Sequence, residues 1–124
     1  MVSPIPVTIY EDSGAYLMAR VLGGDGSAVQ QSDISSIAYS VYDMDDTSSP
    51  GTGSLTVANV VYDTLQTDSR WTTDTTGYNF GWSAPASLFA TGDRVYKVEV
   101  LFTPASGEVF HVQWDVTTRS MLRS

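Results

Sequence analysis

Aspartates are the first residues in this chain with the means to do chemistry. Asp43, Asp45 and Asp46 fall within VYDMDDTSSPGTGS, residues 41–54. Calcium takes about six to eight oxygen ligands, often from aspartates at alternating positions followed by a bidentate Glu. The D-x-D-D run supplies three carboxylates, but no Gly stands at the sharp turn and no Glu follows within reach. The Ser, Thr, Gly and Pro that come next suit a solvated connection between strands. A solvated loop is the expected reading of Asp43, Asp45 and Asp46, and a weak calcium site is the second.

Other catalytic combinations are poorly supplied. His111 is the single histidine and the chain has no cysteine. Zinc needs two or three nitrogen or sulfur ligands, which one His does not provide. A Ser–His–Asp arrangement would have to use His111, yet G-x-S-x-G is absent and Ser106-Gly107 reads as a hairpin turn. Asp63, Asp68, Asp74, Glu99 and Asp115 could in principle pair as glycosidase carboxylates. Most of the acids stand beside turns, where Asp bonds the backbone without chemistry, and Glu99 and Asp115 read as solvated strand-face charges. The expectation is a protein that is not an enzyme and needs no cofactor.

Aromatic residues gather in one segment. Trp71 and Trp82 flank TTDTTGYNFG, which adds Tyr78 and Phe80. Aromatics beside Asp and Asn suit a sugar platform or the anchors of a protein interface. The other reading is a sandwich core, which needs large residues at its ends. Trp114 is assigned to the core because it shares a face with Phe110 and Val112.

Charge narrows the partners. The 124 residues suit one domain and carry a net charge of −8. A phosphate-backbone binder needs a basic face, so nucleic acid is not expected, and neither is an anionic membrane. No Lys or Arg lies between Arg20 and Arg70, where seven acids fall, while Arg119 and Arg123 make the C-terminal end basic. An acidic region and a basic end would let copies meet head to tail, although acidic loops alone explain the pattern. No run reaches the roughly 18 apolar residues of a membrane span. The start, MVSPIPVTIYED, lacks the basic and apolar regions of a signal peptide.

The elements that must position these residues follow from period-two alternation. In VYKVEVLF, Tyr96, Val98, Val100 and Phe102 share a face; in VFHVQWDVT, Phe110, Val112, Trp114 and Val116 do the same. TPASGE joins them, which predicts a hairpin with one buried face. Further strands are expected at 7–10, 16–22, 36–43, within 55–65 as one or two, and at 78–82, with PASLFA as a single helical turn. About seven short strands separated by turn signals predict an all-β, antiparallel sandwich. The N-terminal residues 1–6, with Pro4 and Pro6, and the C-terminal residues 118–124 are expected as arms around a single domain of residues 7–117.

Two likenesses add to this. Asp93 just before Tyr96, at the start of a strand leading into the last hairpin, resembles the tyrosine corner of immunoglobulin-like domains, with a spacing one residue shorter. The runs VYDTLQTDSRWTTDTTGYNFGWSAPASLF and GDRVYKVEVLFTPASGEVFHVQWDV resemble small structural proteins of tailed-phage particles and related environmental bacterial proteins. That resemblance implies an immunoglobulin-like domain of a virion, such as a head decoration, connector or tail-associated module. Its implied partners are other virion or assembly proteins, including copies of itself. The contact regions expected are Trp71, Tyr78, Phe80 and Trp82, with Arg119 and Arg123 at the C-terminal end. The alternative function is a carbohydrate-binding sandwich using Trp71, Tyr78 and Trp82.

Overall fold

The structure, a computed structural model, describes residues 5–23, 26–44, 49 and 51–120. The apolar alternation of the sequence becomes eight strands: β1 (Ile5–Tyr10), β2 (Ala15–Ala19), β3 (Ile34–Asp43), β4 (Gly51–Leu55), β5 (Val61–Gln66), β6 (Tyr78–Ala84), β7 (Arg94–Pro104) and β8 (Phe110–Arg119). A four-residue helical turn, α1 (Val57–Val60), separates β4 from β5. Single 3-10 turns precede β3 (Gln31–Asp33) and follow β6 (Ala86–Phe89). Among the described residues no helix is long and apolar enough to cross a membrane.

The strands form two sheets of an all-β sandwich. One has five strands in the order β1-β8-β7-β3-β4, the other three in the order β2-β6-β5. Each strand turns alternate side chains inward. Leu17, Phe80 and Trp82 of the smaller sheet meet Ile37, Val41, Val98, Val100, Phe102, Trp114 and Val116 of the larger. Phe80 sits at the centre, 5.4 Å from the Phe102 ring and 5.6 Å from Trp114.

Several expectations change in detail. β1 pairs with β8 in parallel, while every other strand pair is antiparallel. The rest of the described fold lies between these two strands, so no short turn dictates their direction. β4 arises from GTGSL, which reads as loop because two glycines dilute its strand preference. Gly53 is needed there because the Tyr39 ring lies where its Cβ would stand. β1 already includes Ile5 and Pro6, and β8 continues through Thr118 and Arg119, so strands take in the inner ends of both expected arms. Residues 1–4 and 121–124 lie outside the described residues.

Local bonds fix the corners. The buried Asn79 side chain accepts from Val21 N–H at 2.7 Å and donates to the carbonyls of Val21 and Val29 at 2.9 and 2.8 Å. Three backbone groups of the β2–β3 connection are thereby satisfied by one amide. At the start of β7 the Tyr96 hydroxyl accepts from Thr91 N–H at 3.2 Å, five residues upstream.

Candidate functional site

The two outer faces of the sandwich differ in how they are covered, and candidate surfaces lie on both. On the smaller sheet, residues 67–77 fold back over the strands and two aspartates hold them there. Asp68 accepts from Arg70 Nη2 at 2.8 Å and from the Tyr78 hydroxyl at 2.6 Å. Its carboxyl is held well below the usual range, first by the Arg70 side chain and then by Tyr78. Asp74 accepts from Trp71 Nε1 at 3.0 Å, from Arg20 and from the N–H groups of Thr76 and Gly77. It too is held low, with the indole bond as the largest cause, then the Gly77 N–H and Arg20. Gly77 takes a φ of +107°, and an added Cβ there would strike the Gln66 carbonyl.

Beneath this segment lies an aromatic cluster. Tyr16 and Tyr62 share a hydrogen bond of 3.1 Å between their hydroxyls. Tyr78 meets both edge to face, with ring centroids 6.4 and 6.0 Å away, and Trp71 lies 5.5 Å from Tyr78. Burial pushes the Tyr16 hydroxyl well above its ordinary value, and the bond to Tyr62 adds to the rise. Tyr78 is raised too, again chiefly by burial and then by its bond to Asp68. The Arg70 guanidinium stands 3.9 Å above the Tyr16 ring, within cation–π range. Gly81 opposite leaves the space that the Tyr16 phenol fills.

On the larger sheet the outer face is bare among the described residues. Registered rows cross it: Pro6–Asp115–Lys97–Tyr42, and Thr8–Thr117–Val95. Exposed large apolar side chains number eight among the described residues, and five of them lie here: Tyr10, Tyr42, Met44, Val95 and Leu101. Met44 follows β3 and donates its N–H to the Val95 carbonyl at 2.9 Å, so it carries the alternation one step further. Tyr42 and Met44 border a hollow of about 340 Å³ with Lys97 and Glu99.

The residues singled out from sequence are distributed unevenly over these surfaces. Trp71 is half-buried and reaches the surface, whereas Tyr78, Phe80 and Trp82 are buried at 3%, 0% and 8% exposure. Trp71, Tyr78 and Trp82 therefore form no sugar platform, and Tyr78, Phe80 and Trp82 present no contact surface. Phe80 and Trp82 are inward members of β6, opposite Ala19 and Leu17 of β2, and Trp82 packs 4.6 Å from Tyr39. Arg119 is exposed at the end of β8, beside Tyr10; Arg123 lies outside the described residues. Asp43 is buried and paired with Arg94 at 2.9 Å, which commits its carboxylate within the fold. Asp45 and Asp46 lie outside the described residues, among which no group of three potential metal-binding side chains occurs.

Sequence reasoning missed Tyr16, Tyr62 and Arg70: Tyr16 and Tyr62 meet across β6, and Arg70 reaches Tyr16 through the overlying segment. It also missed the Tyr42–Met44–Val95 patch. Its signal was available, because Tyr42 and Val95 sit on the outward phase of their alternating strands. Comparison with protein-family models, with curated proteins and with solved structures finds no match for this chain.

Proposed function

We propose that this is a non-enzymatic, immunoglobulin-like structural module that assembles through the outer face of its five-stranded sheet, as part of a phage particle. The observation that carries the contact surface is that, among the described residues, five of the eight exposed large apolar side chains lie on that one face and nothing overlies it. Tyr42, Met44 and Val95 adjoin, since Met44 N–H bonds the Val95 carbonyl, and adjoining exposed apolar side chains are a usual mark of a protein contact. Charge supports it. The chain carries −8, yet the described strand residues of this face hold two acids, Glu99 and Asp115, and two bases, Lys97 and Arg119. Copies can approach there without the repulsion that the rest of the chain supplies.

The immunoglobulin-like reading is supported by the strand order. β2-β6-β5 facing β8-β7-β3 follows the arrangement of B-E-D against G-F-C in such domains. The Tyr96 hydroxyl, near the start of the sixth-strand equivalent, bonding back to Thr91, agrees with a tyrosine corner. The phage setting rests on the resemblance of residues 61–89 and 92–116 to structural proteins of tailed-phage particles.

Oxidative footprinting at low and high protein concentration tests the contact surface. Tyr42 and Met44 are expected to lose reactivity as concentration rises, while Leu65, exposed at 37% on the other sheet, keeps its own. Equal reactivity of Tyr42 and Met44 at all concentrations would count against the proposal.

A further inference from the structure

The open side of the sandwich, where edge strands β1 and β2 lie, holds a groove that the assembly reading does not use. It measures about 590 Å³, within the range of small-molecule sites. Its walls are Ile5–Thr8 of β1, Tyr16 and Met18 of β2, and Arg70–Thr73, with Trp114 at the base. We infer that this groove binds an uncharged sugar ring, stacked on Trp71 and bordered by Arg70 and threonine hydroxyls.

The first reason is the fixed attitude of Trp71. Its Nε1 donates to Asp74, and Asp74 is itself held by Arg20 and two backbone N–H groups. Tyr78 stands beside the indole at a tilt of 41°. A half-exposed indole locked in this way loses little freedom when a ligand stacks on it.

The second reason is the chemistry of the lining. Thr72 and Thr73 contribute neutral hydroxyls, and among the described residues no carboxylate lines the groove. Arg70 is the one charged residue there among the described residues, and Asp68 neutralises it through Nε and Nη2. Its Nη1 makes no bond among the described residues and remains a donor for a ligand hydroxyl. An anionic ligand would find no uncompensated cation, and a wholly apolar one would strand the hydroxyls. A sugar ring has an apolar face for the indole and hydroxyls at its edge for Arg70 and the threonines.

The third reason disfavours an added peptide strand. Glu11 N–H donates to the Arg119 carbonyl, so by alternation the backbones of Pro6, Thr8 and Tyr10 face away from β8. Pro6 has no N–H to give, and a strand laid against this edge meets a broken ladder.

The test is titration with cellohexaose, maltohexaose and mannohexaose, read by ¹H–¹⁵N NMR on the wild-type protein. At about 10 mM, enough to fill even millimolar sites, at least one sugar is expected to shift the Trp71 indole N–H and the amides of Thr8 and Thr73. Trp71→Ala is expected to weaken that binding roughly tenfold or more, and Trp71→Phe to restore part of it. Tyr42→Asp, on the opposite sheet, is expected to leave it unchanged. Absence of a shift at the Trp71 indole with all three sugars would overturn the inference, as would binding that Trp71→Ala leaves intact. The wild-type NMR map keeps the test valid even if the alanine variant folds poorly.

Discussion

Residues 67–77 overlie the outer face of the three-stranded sheet, whereas among the described residues nothing overlies the outer face of the five-stranded sheet. The covered face gathers Tyr16, Tyr62, Tyr78 and Trp71 under two Arg–Asp pairs, Arg70–Asp68 and Arg20–Asp74. The bare face leaves Tyr42, Met44 and Val95 partly exposed beside a balanced set of charges. On the covered side polar bonds hold the structure together; on the bare side the side chains are available for contact.

Substitutions should divide along the same line, and the largest stability effect belongs to the covered sheet. Asn79→Ala leaves the Val21 N–H and the Val29 carbonyl without a partner, while the Val21 carbonyl keeps its bond from Val29 N–H. At about 1.5 kcal/mol for each buried group left unsatisfied, it should cost about 3 kcal/mol in denaturant unfolding. Gly81→Val comes next, because a side chain there displaces the Tyr16 phenol and with it Arg70. Overpacking of this kind costs about 2 kcal/mol, and the environment of Trp71 should change with it in fluorescence.

A smaller effect should appear with acid. Asp68 and Asp74 titrate below the ordinary aspartate value of about 4, so the native state binds fewer protons there than the unfolded chain. Their contribution is present above about pH 4 and is lost as pH falls through the lowered native values. Hydrogen exchange should therefore show the amides of Thr76 and Gly77 opening on acidification before those of β7. Simultaneous opening would contradict the separate role given to the two aspartates. The smallest stability effect is expected on the bare face. Tyr42→Asp should change unfolding by no more than about 0.5 kcal/mol, as exposed positions generally do.

The sequence was most legible where one strand carried its own evidence. The alternation Tyr96–Val98–Val100–Phe102 answered by Val112–Trp114–Val116 fixes β7 and β8 without outside help. β4 was hidden because its glycines make room for distant side chains, Gly53 for the Tyr39 ring across the sheet and Gly51 for Leu88. β1 gives no sign of its parallel partner, since register with β8 is set by core packing of Ile5, Val7 and Ile9 and by no turn. Phe80 and Trp82 share one phase of β6, which pointed to the core, while the polar TTDTTG beside them pointed to a surface. The aromatic cluster was the least legible, because Tyr16 and Tyr62 lie 46 residues apart.

The most direct test of the bare face is the native mass by light scattering over a wide concentration range, for wild type and for Tyr42→Asp/Val95→Asp. Wild type should gain mass with concentration, and the double variant should remain at the mass of one chain while unfolding normally. A wild-type protein that stays at one chain's mass throughout, or a double variant that associates equally well, would contradict assembly of copies through this face.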